Sequence, residues 1–185
     1  MNTYCAELNL DIHPFKDGLD PLTLPKIYHR KFDVKTFINP ELDELLKSKK
    51  IYISFIEVFT QWRPFTLPFI HIDDKGSDDI SKLNWVFGGN DSYHRWYKIK
   101  DKIPGKPFST DLSTSALAFA ESQVEEILHT HHRNPHPFIF QAGVPHSVTN
   151  GKEDRSCVSM IPRWMDTNKR LTFQEAVDAL SDYLI

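Results

Sequence analysis

The sequence predicts a mainly β protein, a β-sandwich or barrel with helices packed on one face. Three observations lead there. Aromatic residues make up 12% of the chain, with 13 Phe, 6 Tyr and 4 Trp, which favours strands. Short runs rich in Ile, Val, Phe and Tyr recur along the chain, several of them alternating apolar with polar. Twelve Pro and seven Gly punctuate these runs as turns and strand ends. A length of 185 residues suits one domain, 1–185, large enough to bury a real core.

Residues 1–30 carry Pro14, Pro21 and Pro25, and Asp17-Gly18 reads as a turn, so short edge strands or irregular wrapping are expected. A helix is expected over 39–49. Asn39 is a good N-cap, Pro40 fits the first helical position, and Glu41, Asp43 and Glu44 favour the positive end of the dipole. Leu42, Leu45 and Leu46 form its apolar stripe. Residues 51–60 read as a central strand, Trp62-Arg63-Pro64-Phe65 as a turn, 67–73 as a returning strand and 74–81 as a polar loop. A strand over 83–87 ends at Gly88-Gly89-Asn90, and 95–100 is its expected hairpin partner. The Pro/Ser/Thr-rich stretch 103–115 is a candidate lid or rim, and 116–128 is open between helix and strand. Residues 130–137 are expected as a loop and 138–142 as a strand. Gly143-Val144-Pro145 is a tight turn before a strand at 146–149. A hairpin loop at 150–154 leads into the last strong strand, 155–162. Thr172-Phe-Gln-Glu175 is a capping box opening an amphipathic helix over 172–183.

Bulk properties exclude several classes. A net charge of −3 advertises neither nucleic acid nor an anionic membrane. Cys5 and Cys157 are no disulfide framework. The first residues lack a signal-peptide pattern, and no apolar run approaches the ~18–20 residues of a membrane helix. A soluble, reducing, cytoplasmic setting is expected.

The chemistry centres on Phe69-Ile-His-Ile-Asp73. In a strand, His71 and Asp73 point to one face. A histidine from a distant strand would complete a 2-His-1-carboxylate triad. The composition yields about one His-x-Asp pair by chance, so the pair needs its partner. His129, His131, His132 and His136 cluster in a Pro-broken loop without the usual zinc spacing, a rival metal site. His13, His29 and His94 have no supporting context. His146 follows a Gly-x-Pro turn and opens a strand, which fixes its direction. Arg155 lies nine residues on, before the apolar Val158, Met160 and Ile161. An Arg in an apolar interior needs an anion, either an acidic ligand or a structural Asp or Glu.

Together, His71-Ile72-Asp73, His146 and Arg155 resemble the HxD…H…R pattern of the Fe(II)/2-oxoglutarate-dependent oxygenase superfamily. Gly143-Val-Pro-His146-Ser-Val-Thr-Asn150 resembles the segment around the distal histidine in small oxygenase-like proteins, many from phage and marine microbes. Lys82-Leu-Asn84-Trp85 and Asp91-Ser92…Trp96-Tyr97 are similar to segments of that group. The resemblance covers about 51–162 and implies a double-stranded β-helix (jelly roll), which would allow a strand near 124–128. It implies Fe(II) on His71, Asp73 and His146, with 2-oxoglutarate held at its far carboxylate by Arg155. Asn84, Tyr97 and Ser159 are candidate hydrogen-bond partners of that cosubstrate. Where some members have Ser two residues after the Arg, this chain has Cys157, a weaker donor. Asp74 is the rival carboxylate, and Arg63 and Arg95 are candidates to meet an anionic substrate. The expected partners are O2 and a small-molecule or peptide substrate. The alternatives are a non-catalytic jelly-roll protein of viral or accessory role, and a cupin-like metalloenzyme without the cosubstrate.

Overall fold

The computed structural model describes residues 4–62, 69–73, 79–100, 105–109, 115–131 and 136–185. They are mostly β, in two six-stranded antiparallel sheets with few helices, the arrangement of a β-sandwich. The strands are β1 (Cys5–Glu7), β2 (His29–Phe32), β3 (Ile51–Gln61), β4 (Ile70–Asp73), β5 (Ser81–Gly88) and β6 (Tyr93–Ile99). After them come β7 (Lys106–Ser109), β8 (Ser115–Phe119), β9 (Val124–Thr130), β10 (Phe138–Gln141), β11 (His146–Thr149) and β12 (Arg155–Trp164). One sheet has the order β1-β10-β5-β12-β3-β2, the other β7-β8-β4-β11-β6-β9. The pairs β6/β9, β5/β10, β4/β11 and β3/β12 nest one inside the next, each antiparallel.

The longest ladder joins β3 to β12 from Arg155↔Gln61 to Trp164↔Ile51. It shows why the sequence alternates as it does. Val158 and Met160 on β12, Leu83 and Trp85 on β5, and Ile56 and Val58 on β3 pack into one apolar cluster with the helices. Arg155, Cys157 and Ser159, and Lys82 and Asn84, turn to the opposite face and line a cavity. Pro162 is tolerated within β12 because a register irregularity falls between Ile161 and Pro162, beyond the last pair with β5.

Helix α1 (Val34–Phe37) is a single turn, and α2 (Pro40–Ser48) matches its expected caps: the Asn39 side chain accepts from the Glu41 N–H at 3.0 Å. Leu42 and Leu46 are fully buried, each side chain contributing about 1.5–3 kcal/mol by removal from water. Helix α3 (Phe173–Ala179) has the expected capping box, but it ends at Ala179 and a 3-10 turn continues over Ser181–Tyr183. No helix among the described residues is long and apolar enough to cross a membrane.

Three expectations are corrected. The 95–100 run lies in β6 but is not the hairpin partner of β5, since the two strands lie in different sheets. Likewise 150–154 is a crossing between sheets, as β11 and β12 also lie apart. Alternation and turn residues look the same whether a chain folds back in its own sheet or arches to the facing one. The stretch 103–115 is not a plain connection, because β7 and the start of β8 fall within it; residues 103–104 and 110–114 lie outside the described residues. The open 116–128 region resolves into β8, a 3-10 turn and β9. The turn expected at 62–65 and the loop at 74–81 lie largely outside the described residues.

Candidate metal centre

Strand β4 alternates as its sequence demands. Ile70 and Ile72 pack with Tyr97, Phe119 and Val124 on one face, while His71 and Asp73 face the cavity. Strand β11 runs beside it with His146 directly opposite His71, and cross-strand neighbours share a face. The two imidazole centroids are 4.5 Å apart. His71 Nε2 is 3.4 Å from Asp73 Oδ1, and His146 Nε2 is 3.9 Å from Asp73 Oδ2. One donor atom from each residue lies within 4.8 Å of the other two, and no other group of three or more such side chains converges among the described residues.

The rings are held in the orientation a metal needs. His71 Nδ1 donates to the Phe69 carbonyl at 3.0 Å, and His146 Nδ1 donates to the Val144 carbonyl at 2.8 Å. A carbonyl only accepts, so a neutral ring keeps its lone pair at Nε2, aimed inward. Such outer hydrogen bonds orient ligating imidazoles. Burial first, and the His71 charge second, push His146 down to about 3 against the pull of Asp73. His146 is therefore neutral near pH 7. Burial raises the Asp73 carboxyl, but Lys82, then His71 and His146, hold it well below the usual carboxylate range. Three electron-pair donors thus face one point, an arrangement that fits a divalent cation.

The cavity continues from this triad to Arg155. Its volume is about 90 Å³, against roughly 10–15 Å³ for one water, so it takes a small organic molecule. Arg155 is 2% exposed. Its guanidinium reaches Gln61 Oε1 at 3.5 Å, His94 Nε2 at 3.3 Å and the Cys157 side chain, and Nε has no hydrogen-bond partner. No carboxylate among the described residues pairs with it, and burial lowers its pKa. Asn84 Oδ1 and Ser159 Oγ are buried in the same cavity and also unpartnered. Buried polar atoms in native proteins are nearly always satisfied, so Arg155 Nε and Ser159 Oγ are donors open to an anion, while Asn84 Oδ1, an acceptor, is open to a donor. Gly89 makes room for the guanidinium arm: a Cβ there would lie 2.7–3.0 Å from the Arg155 Cβ, Cγ and Cδ, at φ +62°.

The structure therefore brings together His71, Asp73, His146, Arg155, Asn84 and Ser159. Tyr97 is the exception. It sits on the opposite face of β6, where its hydroxyl bonds Ser147 Oγ at 2.9 Å. It is not placed to reach a ligand in the cavity, because side chains alternate along β6 and Trp96 takes the inward position. Arg95 pairs with Glu126 at 3.2 Å and is not directed at the cavity. His129 also bonds Glu126, and His131 bonds the Ser92 carbonyl. Arg63, Asp74 and His132 lie outside the described residues.

Several cavity residues escaped the sequence reading. His94 contacts Arg155. Lys82 Nζ lies 2.9 Å from Asp73 Oδ2 and 3.1 Å from Glu57 Oε2, and Glu57 in turn meets His29 Nε2 at 3.0 Å. A Lys and a Glu alternating with apolar residues in strands look like solvated positions, and only the facing sheet buries them. No family model matches the chain, and no curated protein matches it.

These shifts fix a pH dependence. His146 binds a proton in the unfolded chain near its ordinary 6.5 but in the folded protein only near 3. Between those values the unfolded state holds the extra proton, so stability rises with pH. The lowered Asp73 and Glu57 act in the same direction at lower pH, their stabilisation being lost as pH falls through their folded values. The denaturant midpoint of the metal-free protein is expected to be level above pH 7 and to fall steadily below 6.5. A midpoint unchanged down to pH 5 would contradict a buried neutral His146.

Proposed function

We propose that the protein is an Fe(II)/2-oxoglutarate-dependent oxygenase of the hydroxylase type. One observation carries the reading. The His71–Asp73–His146 triad and an Arg155 without a carboxylate partner open into the same small cavity. The strand order supports a jelly roll, because four nested antiparallel pairs are what winding one long hairpin across two sheets produces.

In this reading His71, Asp73 and His146 hold the iron, and Arg155 receives the far carboxylate of 2-oxoglutarate as a planar fork. The bound pair supplies oxidative chemistry in which O2 is consumed, 2-oxoglutarate becomes succinate and CO2, and one oxygen atom enters a substrate C–H bond. The chain's own contribution is positioning. The Phe69 and Val144 carbonyls fix the imidazoles. Phe140, 4.8 Å from the His146 ring, and Trp96 behind it keep water from that side. Ser159 Oγ offers a donor along the cavity wall, and Asn84 Oδ1 an acceptor for a donor group of a ligand.

A second reading has its own support. Lys82 Nζ already sits 2.9 Å from Asp73 Oδ2, so a cation competes for the ligand, as a non-catalytic jelly-roll protein would tolerate. Anaerobic titration separates the two. Fe(II) with 2-oxoglutarate is expected to give the weak visible charge-transfer band of the chelate, and admitting O2 to yield succinate. No band and no thermal shift with 2-oxoglutarate would leave the second reading standing.

A further inference from the structure

A chain of ion pairs runs from the triad into the wall behind the cavity: Asp73 meets Lys82, which lines the cavity, Lys82 meets Glu57, and Glu57 meets His29. Lys82 is 6% exposed and Glu57 is 2% exposed. Such groups are kept in a core only when paired, and this chain pairs them into the wall of the metal site. Two carboxylate oxygens hold the Lys82 ammonium, Asp73 Oδ2 at 2.9 Å and Glu57 Oε2 at 3.1 Å.

The charges close in a specific way. With neutral imidazoles, Asp73 and Glu57 balance Lys82 and Arg155. A divalent cation alone leaves two positive charges in a low-dielectric space, and a dianion alone leaves two negative ones. Only both together, or neither, restore the balance. The position of Lys82 makes this local. An ion held by Asp73 Oδ2 at ~2.2 Å lies no more than about 5 Å from an Nζ that is 2.9 Å from the same oxygen. At that distance inside a protein, unit charges interact strongly.

We propose that Lys82, anchored by Glu57, is a built-in counter-cation that weakens binding of a metal ion alone and strengthens binding of a small dianion. The pocket is thereby tuned to hold the two together. This rests on the reading of the triad and Arg155 as a metal and dicarboxylate site. Lys82 and Glu57 are positioning residues, acting through Asp73 and through the field in the cavity.

The test is a charge series measured by calorimetry, using Mn(II) and 2-oxoglutarate as probes, each alone and then together. Lys82→Met removes a positive charge, and Glu57→Gln removes a negative one. Affinity for Mn(II) alone is expected to rank Lys82→Met above wild type above Glu57→Gln, about tenfold or more per step. Affinity for 2-oxoglutarate alone is expected to rank in the reverse order. Circular dichroism and melting curves check that each variant folds, and the double variant keeps the net charge if either single one does not. Opposite rankings for the two probes support the proposal, since a merely structural role weakens both probes in both variants. Parallel losses, or no change, overturn it while leaving the metal site intact. If wild type takes up no Mn(II) even with 2-oxoglutarate, the underlying reading fails and the proposal with it.

Discussion

Arg155→Met is expected to abolish 2-oxoglutarate binding and at the same time to raise the stability of the ligand-free protein. Both effects follow from one fact: the guanidinium is buried, and no carboxylate among the described residues pairs with it. Desolvating a cation costs several kcal/mol, and replacing buried ionic groups by apolar ones of similar size often stabilises by about 1–4 kcal/mol. An increase of about 1–3 kcal/mol in unfolding free energy is therefore expected for Arg155→Met. The loss of affinity for 2-oxoglutarate is expected to exceed about 100-fold, or ~2.7 kcal/mol. Chemical denaturation and calorimetry on the same preparation read both. A variant that lost stability while still binding the dianion would show that Arg155 serves the fold instead of a ligand.

Asp73→Ala is expected to remove metal binding, with a loss of at least about 1,000-fold in Mn(II) affinity, or ~4 kcal/mol. Asp73 is the one anionic ligand among the three, and without it the imidazoles face Lys82 and Arg155 with only Glu57, on the far side of Lys82, to offset them. The fold is expected to survive. Lys82 keeps its 3.1 Å contact with Glu57, and Asp73 is only partly buried, so the stability loss is held to about 1–2 kcal/mol. His146→Ala is expected to match it in metal affinity. Retained Mn(II) binding in both variants would move the metal to another place, the His129–His136 region first.

The site was legible where chemistry and local geometry coincide. The i, i+2 spacing of His71 and Asp73 in a strand fixes a shared face without any tertiary knowledge. The Gly-x-Pro turn before His146 and the position of Arg155 at the head of an apolar strand carried the rest. Local caps were equally readable, because Asn39 and the Thr172/Glu175 pair act within one turn of their own helix. Illegible features were those decided across the sandwich. Whether β6 pairs with β5 or arches to the other sheet depends on partners 25 or more residues away. Tyr97 was misplaced for a related reason. Alternation along β6 sends His94 and Trp96 inward and Tyr97 outward, and which of the two faces is inward is set by the facing sheet. Lys82 and Glu57 are buried as a pair because β3, β4 and β5 bring Glu57, Asp73 and Lys82 together beside the cavity, which no run of neighbouring residues announces.

The central claim is that one ion and one dianion share the cavity between the sheets. A crystal structure grown with Mn(II) and 2-oxoglutarate, with an anomalous map at a wavelength where manganese scatters, tests it most directly. The account predicts one manganese peak about 2–2.5 Å from His71 Nε2, His146 Nε2 and an Asp73 oxygen, with the 2-oxoglutarate carboxylate on the Arg155 guanidinium. A peak elsewhere, or a cavity in which Lys82 still holds Asp73 with no ion between the imidazoles, would contradict it.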